Sequence, residues 1–225
     1  NEEEDSRKSA LWALGITGLG GFFLLSFAAV MGSIAGSYSI HELLTQSDFL
    51  KEHASYGVLL FFLFMGAFTK SAQFPFHFWL PEAMAAATPV SAFLHAAAVV
   101  KAGIYLLIRF STIFYDVAVW NWVLIVVGMG TAVMSAVFAV QKTDLKKLTA
   151  YSTVSHLGWI VATIGVGTPF AIGAALVHTL AHALFKSSLF MLIGVIDHEA
   201  GSRDIRRLGP LWNKMPWTFS SVVIG

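Results

Sequence analysis

Three lysines interrupt long apolar stretches of this 225-residue chain: Lys70, Lys101 and Lys186. A charged side chain at bilayer depth costs about 2.5–3.5 kcal/mol on insertion scales, so it persists mainly where it faces a bundle interior or a water-filled path. Burial disfavours the charged form of lysine, which then releases its proton more readily. The three lysines therefore indicate a chain that moves protons, or ions coupled to protons, through its interior.

Two histidines and one of these lysines recur on a single predicted helix, at His178, His182 and Lys186. Steps of four residues turn an α-helix by about 40° each, so the side chains form one inclined stripe about 12 Å long. Histidine titrates near neutrality, so the stripe could pass a proton along through intervening waters. A polar seam between helices is the alternative. The His-x-x-x-His spacing also suits zinc, but no carboxylate accompanies it on the same turn, so we expect no metal site.

His95 and Lys101 lie on another predicted helix, six residues apart. Six residues correspond to a rotation of about 600°, so the two side chains do not share a face and we expect them to address different neighbours. A membrane lysine can extend its charge to the bilayer surface. Lys101, however, is eight residues from Arg109, about 12 Å from that end of the helix. We therefore expect both groups to take part in proton transfer.

Lys70 precedes a segment that two prolines, Pro75 and Pro81, divide. A proline removes a helical hydrogen bond and clashes with the preceding turn. In lipid such a break is tolerated only where protein or a wet cavity covers the freed groups. A lysine also complements the negative end of a half-helix. A discontinuous helix beside a lysine is typical of transporters, so we expect Lys70 to transfer protons.

Composition narrows the class of protein. Hydrophobic residues make up 56% of the chain and charged residues 12%, against about 25% charged in soluble domains, which indicates an integral membrane protein. A net charge of +1 gives no reason to expect nucleic-acid binding. Without cysteine the chain has no disulfide framework and no thiolate metal site, and we expect no cofactor. The acidic beginning at 1–5 resembles an internal loop, so we expect a middle portion of a longer protein.

The apolar runs predict an all-α, polytopic transmembrane helix bundle, since a spanning helix needs about 20 apolar residues. Thr88 is predicted to cap the third span, with Pro89 in its first turn. The predicted spans are 9–32, 54–80 (broken near Lys70–Pro81), 88–110, 117–140, 148–166 and 169–196, followed by the start of a seventh at 216–225.

Basic residues in the loops orient these spans, because cytoplasmic loops are enriched in lysine and arginine. Lys51 and Arg109 lie on one predicted side. The other side collects Arg7, Lys8, Lys142, Lys146, Lys147, Arg203, Arg206, Arg207 and Lys214. The sequence therefore predicts a cytoplasmic N-terminus, with Lys146 and Lys147 among the positive-inside determinants of that orientation.

No acidic residue lies inside the six predicted spans. Glu82 follows the break and Asp197 ends the sixth span, while Asp144 is placed to cap the fifth helix. A lysine-based proton path usually needs a carboxylate to set the lysine pKa. We expect that carboxylate to come from another segment or from another subunit of a hetero-oligomeric complex.

Four motifs, in order along the chain, resemble the signature of one family, the antiporter-like subunits. These are the large proton-pumping membrane subunits of respiratory complex I and their relatives in Mrp-type cation/proton antiporters. The lysine in 99–103 and the loop 194–206 are similar to the large, A-type subunit of the Mrp branch. The motifs are KSAQFPFHFWLP (70–81), TPVSAFLHAA (88–97), DLKKLTAYST (144–153) and HTLAHALFK (178–186).

The resemblance implies two inverted five-helix repeats, of which this chain would hold the last three helices of the first and the first three of the second. Lys70 then matches the broken-helix lysine of the first half, and Lys101 the lysine that links the half-channels. His178, His182 and Lys186 match the central relay of the second half. The glutamate paired with the first lysine and a terminal lysine would lie outside this chain, which alone should not transport.

The sequence favours part of a Na⁺/H⁺ antiporter, or of an antiporter for another monovalent cation, and thus a secondary transporter rather than an enzyme. The alternative is a proton-pumping membrane subunit of a complex I-like NADH/quinone dehydrogenase, in which redox chemistry supplies the driving force. A third alternative is a structural remnant that only scaffolds its partners, but such a protein would gain stability by losing its intramembrane lysines. A membrane zinc hydrolase is the remote remaining alternative.

Overall fold

The computed structural model describes residues 2–224, which form α-helices and connecting turns with no β-strand among them. The predicted all-helical bundle is thereby confirmed. The helices are α1 (Glu2–Ala35), α2 (Ile40–Thr45), α3 (Ser47–Glu52), α4 (Tyr56–Lys70), α5 (Trp79–Glu82), α6 (Thr88–Ala92), α7 (Val99–Phe114), α8 (Ala118–Val140), α9 (Leu145–Gly165), α10 (Pro169–Ala200), α11 (Leu211–Lys214) and α12 (Pro216–Ile224).

Four helical stretches are long and apolar enough to cross a membrane. Each falls on a predicted span. α9 is 21 residues long and covers most of the predicted span 148–166, and α4 with α5 covers the predicted broken span. Membrane crossing by these two remains a prediction. The four stretches are Arg7–Ala35, Thr88–Phe114, Ala118–Val140 and Pro169–Ala200.

The chain breaks after Lys70, where α4 ends. Ala72 takes a left-handed conformation with φ of 51°, which a residue with a Cβ rarely adopts outside tight or functional turns. The indole Nε1 of Trp79 donates to the Thr69 carbonyl at 3.0 Å. The Phe74 backbone N–H donates to the Thr131 hydroxyl of α8 at 3.0 Å. Neighbouring elements thus satisfy backbone groups that the break exposes, as burial in an apolar medium requires.

Helices α8 and α9 pack closely, because two glycines let their backbones touch. A Cβ atom on Gly128 would lie 2.5 Å from the Ala162 nitrogen, and one on Gly158 would lie 2.6 Å from the Gly128 carbonyl oxygen. Small residues permit such close approach between membrane helices. This contact fixes α9, which carries several candidate site residues.

The first turn of α9 is capped as predicted. The Asp144 carboxylate accepts a hydrogen bond from the Lys147 backbone N–H at 3.0 Å. Asp144 also pairs with Arg203, from the loop after α10, at 3.3 Å. The Leu145 backbone N–H donates to the Arg203 carbonyl at 3.0 Å. The loop after α10 is therefore tied to the α8–α9 connection.

The predicted cap at Thr88 is wrong by one position. α6 begins at Thr88 itself, its N-cap is Ala87, and no side chain caps it. The Thr88 side chain instead packs against α10, since a Cβ on Gly194 would lie 2.9 Å from the Thr88 methyl carbon. α6 continues directly into a π-helical turn at Phe93–Ala97.

At the other end of the bundle, Lys51 joins the end of α3 to the connection between α7 and α8. Its ammonium donates to the Asp116 carboxylate at 2.9 Å. This hydrogen bond holds the pKa of the Asp116 carboxyl below its usual value. Both groups are partly solvated, so the pair adds little to stability.

Candidate functional site

Three histidines from α9 and α10 meet in the bundle interior. His156 Nδ1 lies 3.0 Å from His178 Nε2, within hydrogen-bonding distance. The ring centroid of His182 lies 5.4 Å from that of His156. A neutral imidazole has one N–H donor and one acceptor nitrogen, so the bonded pair can pass a proton when the tautomers exchange. His156 therefore links two residues of the predicted stripe.

Lys186 continues this stripe one turn farther along α10, where it is 3% exposed. Its ammonium donates a short hydrogen bond to the Ser152 hydroxyl of α9. Among the described residues no carboxylate lies within ion-pair distance of Lys186. A hydroxyl accepts less strongly than a carboxylate. The Lys186 proton is consequently held by a weak partner.

His95 lies on the π-helical turn and is fully buried. Its ring packs against Phe190 of α10, with 4.9 Å between centroids. Neither ring nitrogen has a hydrogen-bond partner among residues 2–224. The charges of Lys186 and Lys146 both act on this ring. π-helical turns are rare overall but occur often at functional sites. This turn directs His95 towards α10.

Lys101 lies one turn into α7, and its Nζ atom is buried with no acceptor in the described part of the chain. Its charge acts on His182. His95 contacts Phe190 and the charge of Lys101 acts on His182, which are two different residues of α10.

Lys70 lies apart from the histidines. It ends α4 and donates to the Thr17 carbonyl of α1 at 3.1 Å. A cavity of about 540 Å³ adjoins it, with Trp79 and Leu94 among its lining residues. This hydrogen bond gives the Lys70 ammonium an acceptor on the side of the break that faces α1. The structure thus brings His95, Lys101, His178, His182 and Lys186 to one interior region and places Lys70 in a second one.

Lys146 has a structural role in addition to the predicted one of a positive-inside determinant. Its side chain is 2% exposed, and its ammonium donates to the carbonyls of Ala86 at 2.7 Å and Met84 at 3.3 Å. These carbonyls end the second half of the broken helix, where the helix dipole is negative and backbone acceptors lack helical partners. Lys146 therefore fastens the broken helix of the first half to α9. Lys147, the next residue, is exposed.

Replacing Lys146 with methionine keeps most of the side-chain volume and removes both hydrogen bonds. The buried Met84 carbonyl loses its side-chain partner, and the Ala86 carbonyl keeps only a long bond of 3.4 Å from the Ser91 hydroxyl. We therefore expect the free energy of unfolding to fall by about 1–3 kcal/mol. The measurement is the thermal midpoint of the purified complete complex. Lys147→Met is the matched control and should leave the midpoint unchanged. Equal midpoints for the two variants would show that the carbonyls find other partners.

Two residues of the site, His156 and Ser152, were not predicted from the sequence. His156 had a signal, since it is an ionisable residue in a run that lacks aspartate, glutamate, lysine and arginine. Ser152 had none, because a serine can bond within its own helix at little cost. No cluster of three His, Cys, Asp or Glu residues within residues 2–224 could hold a metal ion.

Comparison with known proteins gives consistent matches. The family model for the NADH:quinone oxidoreductase/Mrp antiporter transmembrane region matches residues 1–225. The A/B subunit of a probable K⁺/H⁺ antiporter from Rhizobium meliloti (strain 1021) is 48% identical over 97% of this chain and 22% of its own length. The A-type subunit of the Na⁺/H⁺ antiporter from Bacillus subtilis (strain 168) is 46% identical over 100% of this chain and 29% of its own.

A solved structure, that of the Mrp complex from Dietzia sp. DQ12-45-1b, matches with a TM-score of 0.88 and 55% sequence identity. The match covers 93% of this chain and 23% of the solved chain. The chain thus spans less than a third of the length of the relatives it matches.

Proposed function

Since the chain belongs to the NADH:quinone oxidoreductase/Mrp antiporter transmembrane family, we propose that it forms part of a proton-translocating subunit of a monovalent cation/proton antiporter. Na⁺ or K⁺ is the exchanged cation, in line with the names of its relatives. The protein is then a secondary transporter and not an enzyme. It is a multi-pass membrane protein, and on this proposal its N-terminal end faces the cytoplasm of a prokaryotic cell.

One observation carries the proposal: His95, Lys101 and His182 each have buried polar atoms that lack a protein partner among the described residues. Each such atom costs about 1–3 kcal/mol if it stays unpaired. Unpaired polar atoms would only destabilise a purely structural bundle, whereas a proton path needs polar groups that water molecules can bridge. The neighbouring His156–His178 pair and Lys186 extend the same region.

Proton transfer in this proposal uses Lys70, Lys101, His95, His178, His182 and Lys186, with His156 as an added member. Each group changes charge when it gains or loses a proton, and each charge alters the proton affinity of its neighbours. The charges of Lys101 and Lys186 both act on His182. Uptake of a proton at one lysine thereby favours release at the next.

The partners follow from the same chemistry. No carboxylate pairs with Lys70, Lys101 or Lys186 in the described part of the chain. Carboxylates that set the proton affinities of these lysines come from the rest of the protein or from other subunits of a hetero-oligomeric complex. The lipid bilayer surrounds the assembly.

The complete complex should be tested in everted vesicles from a host that lacks its own antiporters. ATP hydrolysis establishes the pH gradient, and NADH and quinone substrates are left out. Addition of Na⁺ or K⁺ should collapse the gradient within the time needed for mixing and exchange. A gradient that persists after both cations have been tested would contradict the proposal and favour a redox-driven pump of the complex I type.

A further inference from the structure

An open cavity of about 290 Å³ is lined by residues of α8 and α9. Two of its lining side chains contact the proposed proton path directly. Ser152 accepts from Lys186, and His156 hydrogen-bonds with His178. The lining residues are Ala136, Ala139, Val140, Leu148, Ser152, Ser155 and His156.

The cavity runs inward from the end of the α8–α9 hairpin. Val140 is the last residue of α8 and is 86% exposed. From Leu148 to His156 the α9 helix rises about 12 Å, which leads from this end towards the bundle centre. The hairpin connection carries Lys142, and the exposed Lys147 follows it, so this mouth is on the side predicted to be cytoplasmic.

One side of the cavity can hydrogen-bond to water. Two alanines of α8 leave space, and two serine hydroxyls and the imidazole of α9 supply hydrogen-bonding groups, whereas the rest of the lining is aliphatic. At about 30 Å³ per water, the volume has room for several water molecules along these groups. Ser155 donates to the Ala132 carbonyl at 2.9 Å, which leaves its oxygen free to accept from such a water.

Ser152 is suited to connect this water to Lys186. A hydroxyl has one donor and two acceptor sites, so it accepts from a protonated lysine and donates to a neutral one. The transfer is balanced: the Lys186 ammonium gives its proton to the Ser152 oxygen, and the same hydroxyl releases its own proton to a water in the cavity. Lysine becomes neutral, and serine ends the step unchanged.

We propose that the α8–α9 cavity is a solvent access path from the predicted cytoplasmic side to Lys186, with Ser152 as the residue that hands protons between them. This inference rests on the proposed proton-translocating function. It adds a route and a residue to that function. The route is needed because the stripe of His178, His182 and Lys186 does not itself reach the surface.

The first test asks whether the cavity holds water. This chain has no cysteine, so a single cysteine placed in it is read against labelling of the complex that lacks the substitution. In everted vesicles, Ala139→Cys should react with a membrane-impermeant cationic methanethiosulfonate at least about tenfold faster than Leu184→Cys, since only a hydrated thiol ionises. Leu184 is 74% exposed on the apolar face of α10 near the level of Lys186. Equal rates would overturn the access path.

The second test asks whether the Ser152 hydroxyl is used. In the complete complex, Ser152→Ala should slow cation-triggered proton exchange about tenfold or more, because the transfer loses its hydroxyl. Ser152→Thr keeps a hydroxyl and should restore most of the rate. Ser187→Ala is the matched control, since the Ser187 hydroxyl bonds only within its own helix, to the Leu184 carbonyl. Full exchange in Ser152→Ala at matched assembly would overturn the role of Ser152.

The two tests separate this inference from the function on which it depends. Thiol labelling needs no transport, so it reads the cavity even if the intact complex exchanges nothing. An inactive intact complex would contradict the proposed function. An active intact complex with an unlabelled Ala139→Cys would contradict the access path alone.

Discussion

Replacing Lys186 with alanine abolishes proton exchange in the complete complex, with a rate at least about 100-fold below that of the intact protein. Lys186 is buried, is bonded to Ser152 and continues the stripe of His178 and His182. Alanine leaves a gap there that no other base of α10 fills. The measurement is the initial rate of gradient collapse after Na⁺ or K⁺ addition to everted vesicles, at matched levels of assembled complex.

Lys186→Arg separates charge from proton transfer. Arginine keeps the positive charge but does not release its proton at physiological pH. We therefore expect this variant to assemble and to exchange almost as slowly as Lys186→Ala. Lys147→Ala removes an exposed lysine near the predicted membrane surface and should exchange at the intact rate. Undiminished exchange in Lys186→Ala would remove this residue from the proton path.

Replacing Gly158 with alanine should strongly destabilise the protein. The new Cβ would lie 2.6 Å from the Gly128 carbonyl oxygen and 2.7 Å from the Ala132 nitrogen. Both are backbone atoms and cannot rotate away, so α8 and α9 must separate. We expect a loss of about 3 kcal/mol or more, seen as a lower thermal midpoint and a reduced yield of complex.

Gly130→Ala is the control for this effect. It lies on the same helix pair, and nothing lies within 4 Å of a Cβ built there. Alanine at an open helical position should be neutral or stabilise slightly, by up to about 1 kcal/mol. Equal stability of Gly158→Ala and Gly130→Ala would mean that the helices can separate without cost.

The sequence predicted most of the charged residues of the site because lipid makes charge conspicuous. Lys101, Lys186, His178 and His182 each interrupt an apolar run, and the structure places them in one interior region. The helix break after Lys70 was equally visible, since proline disrupts a helix for local reasons. These predictions needed no knowledge of which helices pack together.

The remaining features depend on tertiary contacts. Ser152 is ordinary in sequence and matters only because Lys186 faces it from another helix. Lys146 looked like a loop lysine, but the first turn of α9 directs it towards the carbonyls of the broken helix. The π-helical turn that carries His95 was not predicted either, because no sequence pattern announced it.

The most direct measurement uses the purified complete complex in proteoliposomes, with a pH-sensitive dye inside and an imposed gradient of Na⁺ or K⁺ across the membrane. Neither NADH nor quinone is present. Proton flux that follows the cation gradient in the intact complex and disappears in Lys186→Ala is the predicted result. Proton flux that requires NADH and quinone, or that persists in Lys186→Ala, would contradict a cation-driven proton path through this chain.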